Sequence, residues 1–263
     1  MGRPYSSAIP GTARVLRDLL FARPERHRYG PGPEQRADLY LPRGDGPFPV
    51  AVAIHGGYWQ ARYNKRLEKP VAVDLTRRGV AVWNIEYRRI GRGGEWPNTF
   101  DDVAAAIDHL PALRHPRLDL NAGVTVFGHS AGGQLALWAA ARKDGAVPVA
   151  GVCGQAAVCE LTTAGAAREL MGGTPAEVPE RYAQCDPIQL VPLGVPILLV
   201  HGADDATVPV LRSRRFAEAA RATGDDVTLI EPSPGGHRLH VDPRSVAWRI
   251  AADWIASRKL PDA

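Results

Sequence analysis

The sequence predicts an α/β protein built on a mostly parallel central sheet with helices on both faces. Three observations carry that prediction. Apolar, β-branched runs alternate with amphipathic, helix-prone stretches along most of the chain. The runs are continuously apolar rather than alternating, which is the pattern of strands buried on both faces. Finally, 263 residues at 45% apolar composition can bury one large core without a second domain.

Strands are expected at 36–41 (RADLYL), 48–54 (FPVAVAI), 79–85 (GVAVWNI), 123–127 (GVTVF), 147–153 (VPVAGVC), 195–200 (VPILLV) and 226–231 (DVTLIE). Helices are expected at 66–78, 99–113, 131–142, 210–222 and 244–258. Pro70 argues for a start later than Arg66 in the first of these. Thr99 opens the second with a side-chain cap, and Asp101 and Asp102 add acids in the first turn. The interval 155–192 holds no strong strand and carries Gly172, Gly173, Pro175, Pro179, Pro187 and Pro192. It reads as a small cap-like insertion within a single domain spanning 1–263. Near the N-terminus, TARVLRDLLF reads as a short packing helix. No internal repeat or low-complexity segment interrupts the pattern.

The formal charge of +4 comes from 32 basic and 28 acidic residues interspersed along the chain, so it describes a solvated surface and not a nucleic-acid footprint. Cys153, Cys159 and Cys185 form no CxxC pair and are odd in number, which supports neither a disulfide framework nor a zinc site. Free thiols suit a reducing cytoplasm. The N-terminus lacks an apolar leader region, and no apolar stretch approaches the ~18–20 residues of a membrane span.

The strongest local signal is Gly128-His129-Ser130-Ala131-Gly132, set between the strand VTVF and the helix that follows. A Gly-x-Ser-x-Gly turn in that context is a nucleophile elbow, a sharp bend that strains the serine backbone and tolerates only small neighbours. A serine hydroxyl is a weak nucleophile at neutral pH, so Ser130 needs a base and an orienting acid. With this elbow the chain order is serine, acid, histidine. His237, in the loop PSPGGH before the last helix, is the first candidate base, and His240 the second. HGADDATVP at 201–209 offers Asp204 and Asp205 as the acid. Acyl transfer also needs donors for a developing oxyanion. One is the amide of Ala131. The others are expected in HGGYW at 55–59, from the amides of Gly57 and Tyr58, with Gly56 making the turn.

Together, HGG-x-W, GHSAGG, a late Gly-x-x-Asp and a loop histidine resemble the α/β-hydrolase fold, from about Asp38 to Ile255. More narrowly they resemble the branch that holds kynurenine formamidase (arylformamidase) and related small carboxylesterases. The resemblance implies Asp205 as the acid, three residues after Gly202 and four before Pro209, and leaves Asp204 as a turn residue. It implies a serine hydrolase with a Ser130–His237–Asp205 triad, acting through an acyl-enzyme on a small-molecule ester or amide. No cofactor or metal is expected, and no nucleic-acid or membrane partner. Monomer and homodimer are both open. Carboxylesterase activity is the leading expectation and arylformamidase activity the alternative. A non-catalytic ligand-binding protein on the same fold is the reading of another class. Trp59 and Trp96 are expected in the substrate pocket, Trp83, Trp138, Trp248 and Trp254 in the core, and His55 and His201 in turn-stabilising roles.

Overall fold

The computed structural model describes residues 23–258. Eight strands form one sheet: β1 (Glu25–Arg28), β2 (Arg36–Tyr40), β3 (Phe48–Ile54), β4 (Ala81–Ile85), β5 (Leu118–His129), β6 (Val149–Gln155), β7 (Ile197–Val200) and β8 (Val227–Ile230). Their order is β1-β2-β4-β3-β5-β6-β7-β8. β1 and β2 are antiparallel to their neighbours, and all pairs from β4 through β8 are parallel. The expected mostly parallel sheet is present, with one strand the apolar pattern did not reveal. β1 reads ERHR and lies at an edge with largely exposed side chains, so no hydrophobic periodicity announces it.

Seven α-helices are described: α1 (Lys69–Arg77), α2 (Asn98–Asp108), α3 (Ala131–Ala141), α4 (Ala167–Met171), α5 (Pro179–Cys185), α6 (Leu211–Ala222) and α7 (Val246–Ser257). Side-chain alternation along β3 divides the interior in two. Val50, Val52 and Ile54 join the core beneath α2, α3 and α6, while Ala51 and Ala53 join the core beneath α1 and α7. Trp83 and Trp248 are fully buried, and each satisfies its indole N–H, on Ala106 O and Asp74 Oδ2 respectively. Trp138 and Trp254 are partly buried against the two cores.

The helix starts follow local chemistry with one correction. α1 begins at Lys69 with Pro70 in its first turn, where a missing N–H costs nothing. Ser245 caps α7 by accepting from the Trp248 amide. Thr99 does not cap α2. It lies inside the helix, and its hydroxyl donates to Arg88 O, because Pro97 has already turned the chain. Asp102 is buried and takes the Arg88 guanidinium and backbone amide instead. Among the described residues, no helix is long and apolar enough to cross a membrane.

Glu68, just before α1, is 0% exposed, and neither of its carboxylate oxygens has a hydrogen-bond partner among the described residues. Burial pushes its carboxyl up to about 8. The unfolded chain releases this proton near pH 4.3 and the folded chain retains it to about 8. Between those values the folded state binds more protons, so stability falls as pH rises, by up to about 1.4 kcal/mol per unit. Glu68→Gln is therefore expected to flatten the decline in thermal midpoint between pH 5 and 8.5. Parallel profiles for the two proteins would contradict it.

Candidate active site

The C-terminal ends of β3, β5 and β7 and the loop after β8 supply the site, where ligands of open α/β sheets bind. Ser130 sits between β5 and α3 with φ 56° and ψ −118°, left-handed backbone that is rare for a residue with a Cβ. The residues two positions to either side, Gly128 and Gly132, are glycines because there is no room for a Cβ. A Cβ on Gly128 would lie 2.3 Å from Gly132 O, and one on Gly132 would lie 2.0 Å from Ile54 O. The turn is thus wedged against the end of β3, and its strained serine is 5% exposed.

The loop after β3 is strained as well. Gly57, Tyr58 and Trp59 are consecutive residues at positive φ, of 114°, 56° and 56°. Two aromatic residues in the left-handed region persist only where the surroundings over-determine them. Here His55 does much of that work. Its ring lies between Gly56 O at 2.8 Å and the Glu86 carboxylate at 2.7 Å, stacked 4.4 Å from the Tyr87 ring, while Tyr87 O–H donates to His55 O. Glu86 is buried, which alone would raise its carboxyl. The charge and hydrogen bond of His55, with Arg89 behind, outweigh this and lower it. Gly56 packs on the elbow, since a Cβ there would lie 2.4 Å from His129 O. The amides of Gly57, Tyr58 and Ala131 donate to no protein acceptor among the described residues.

Asp205 and His237, 32 positions apart, are in direct contact: His237 Nδ1–H donates to Asp205 Oδ2 at 2.7 Å. Burial would raise the Asp205 carboxyl. Hydrogen bonds from His201, His237 and the amides of Val208 and Thr207 outweigh that and hold it well below the usual carboxylate range. Asp204 turns the other way and accepts the amides of Gly235 and Gly236, tethering the loop that carries His237. With Nδ1 committed to the acid, Nε2 of His237 is the ring's free basic atom. No hydrogen bond joins it to Ser130 Oγ in this structure. Such contacts are often long in a ligand-free site and tighten with substrate.

Sequence reasoning missed two histidines with jobs here. His129 Nε2–H donates to His237 O at 2.7 Å, and the two rings lie 4.6 Å apart, so the residue before Ser130 holds the His237 backbone. Burial, then the nearby His237 and His240, push the His129 imidazolium well down, keeping it a neutral donor. His201 is fully buried and spans Val208 O at 2.8 Å and Asp205 Oδ2 at 3.3 Å, with its other nitrogen on Ser213 Oγ. It braces Asp205 at Oδ2, the oxygen that also accepts from His237, more than a turn-stabilising role. Its only sequence signal is its place four residues before Asp205. His240, the second-ranked base, is fully buried, and neither ring nitrogen has a partner.

The two expected pocket aromatics fare differently. Trp59 is 2% exposed and packs in the core. Its indole N–H donates to Gln134 Oε1, and Gln134 Nε2 donates to Cys185 O, so Trp59 braces its loop from behind instead of facing substrate. Trp96 is half-buried under the segment after β6: its amide donates to Leu170 O, and the Arg181 guanidinium lies 4.7 Å from its ring. Tyr58 is 40% exposed at the site's surface. All three cysteines are free and buried, and burial raises their thiols, Cys159 and Cys185 to about 12. Among the described residues, no group of three or more His, Cys, Asp or Glu is placed to hold a metal ion.

The family model described as BD-FAE matches residues 37–220, from β2 through α6. The chain belongs to the BD-FAE family. Esterase FrsA of Salmonella paratyphi B is 28% identical over 142 residues, which are 51% of this chain and 30% of that protein. The match spans less than a third of that relative's length. A bifunctional GH43-CE protein of Bacteroides eggerthii superposes with a TM-score of 0.75 at 26% identity, covering 88% of this chain and 38% of that one. Esterase B of Lactobacillus rhamnosis superposes with a TM-score of 0.73 at 22% identity, covering 94% and 92%. The fold is that of the α/β hydrolases.

Proposed function

We propose that this protein is a serine hydrolase of the carboxylesterase type, cleaving a small ester through an acyl-enzyme. The observation that carries the reading is Ser130 in a strained strand-to-helix turn at the sheet edge that also holds the Asp205–His237 pair. Membership of the BD-FAE family and similarity to proteins described as esterases support it.

In this reading Ser130 Oγ attacks the ester carbonyl as its proton passes to His237 Nε2. Asp205 stays ionised, fixes the imidazole tautomer through Nδ1 and stabilises the imidazolium. The amides of Gly57, Tyr58 and Ala131 receive the oxyanion, each donor worth about 3 kcal/mol at the transition state. Collapse of the tetrahedral intermediate expels the alkoxide, which takes the proton from His237. Water then gives a proton to the same nitrogen, attacks the acyl carbonyl and releases the acid, returning the proton to Ser130. Residues 155–192 act as a cap-like insertion of a single domain. Their two short helices meet Trp96 and Gln134, and in this reading the segment shapes the acyl or leaving-group pocket.

The test is a panel of short p-nitrophenyl esters and N-formylkynurenine beside a fluorophosphonate probe. Ester turnover with labelling mapped to Ser130 is expected. A kcat/KM for N-formylkynurenine above that of the best ester would move the substrate to an aryl formamide, the narrower arylformamidase reading. Folded protein that neither labels nor turns over any ester would leave a ligand-binding role.

A further inference from the structure

A cleft of about 450 Å3 opens beyond the C-terminal ends of β3 and β4, beginning at Ala61, three residues beyond Tyr58. Six cationic side chains line it, those of Arg26, Arg36, Lys65, Arg66, Arg89 and Arg92, against two carboxylates, Asp38 and Glu86. The chain as a whole is nearly balanced, with 32 basic and 28 acidic residues, so the excess is local. Three of the cations are already committed. Lys65 pairs with Asp38, Arg89 with Glu34 and Glu86, and Arg92 with Glu34.

Arg26, Arg36 and Arg66 are exposed and have no carboxylate partner among the described residues. The placement of Arg36 runs against sheet stability. Arg36 faces Arg28 directly across the β1–β2 register, a like-charge pairing that costs free energy, and Arg26 faces Asp38, whose charge Lys65 already meets. In the cleft wall Arg89 is 2% exposed, and its Nε has no hydrogen-bond partner among the described residues. Guanidinium groups gathered in a concave, partly low-dielectric wall focus positive potential, and their forks match the paired oxygens of a carboxylate or phosphate.

We propose that this cleft binds an anionic group, a carboxylate or a phosphate, remote from the scissile bond, so that the enzyme prefers esters carrying a negative charge over neutral esters of equal length. The substrate preference rests on the esterase reading above; the anion binding does not.

Citrate and inorganic phosphate titrated calorimetrically at low ionic strength test the site by itself. Citrate is expected to bind wild-type protein and Ser130→Ala alike, to weaken with added salt, and to bind the Arg36→Gln/Arg66→Gln double variant at least tenfold more weakly. No citrate binding to wild type, or equal binding to the double variant, overturns the proposal. Two ester series test the preference: mono-p-nitrophenyl esters of dicarboxylic acids against neutral p-nitrophenyl esters of matched length, and 4-acyloxybenzoates against phenyl esters. In at least one series the charged-to-neutral ratio of kcat/KM is expected to exceed ten, and to fall toward one in the double variant while neutral turnover stays unchanged. A ratio no greater than one throughout both series overturns the preference. Citrate binding without turnover of any ester, charged or neutral, overturns the esterase reading and leaves the anion site standing.

Discussion

Ser130→Ala is expected to lower kcat on p-nitrophenyl acetate by roughly 10⁴–10⁶-fold, because the covalent route is lost and only binding and oxyanion stabilisation remain. Fluorophosphonate labelling is expected to disappear with it. The fold is expected to be indifferent. The Ser130 hydroxyl makes no hydrogen bond among the described residues, and the Cβ that alanine keeps is already accommodated at φ 56°. The thermal midpoint is therefore expected to stay within about 2 °C, since a change of 1 kcal/mol moves a domain of this size by only a few degrees. Activity retained within tenfold of wild type would remove Ser130 from the chemistry.

Asp205→Asn is expected to cost kcat about 10⁴-fold, the second largest effect. An asparagine amide turned toward His237 offers a donor where the ring needs an acceptor, and the imidazole settles into the tautomer that cannot take a proton from Ser130. The neighbouring carboxylate supplies the contrast. Asp204→Asn keeps an oxygen for the amides of Gly235 and Gly236 and is expected to cost less than tenfold. A reversal of that order would transfer the acid's role to Asp204. Asp205→Asn carries a stability signature as well. The folded carboxyl is held below its unfolded value near 3.9, so it stabilises the native state above that pH, and this contribution is lost as pH falls below it. The variant is expected to show a lower thermal midpoint at pH 7 and a shallower acid limb.

Much of the architecture was legible because its causes are local. Continuous apolar runs marked the buried strands. The Gly128–Gly132 motif marked the sharp turn, since only small residues fit where Gly132 meets Ile54 O. Pro70 marked the true start of α1. β1 was not legible: an exposed edge strand has no buried face to pattern. Thr99 looked like a cap from its own chemistry, yet Pro97 had already set the turn.

By itself, then, the sequence determined the α/β class, the elbow and the glycines of both strained loops, because backbone sterics and hydrophobic periodicity act within a few residues. Only the tertiary structure decided which partners those residues meet. It placed Asp205 on His237 and turned Asp204 away, set His129 on the His237 backbone and His201 on Asp205, and drew Trp59 into the core onto Gln134, 75 positions distant. Among the described residues it also left Arg26, Arg36 and Arg66 without a carboxylate partner in one cleft while Glu34 went to Arg89 and Arg92. Hydrogen bonds and charge pairs between distant segments are fixed by how the sheet is ordered, and strand order is a property of the whole chain.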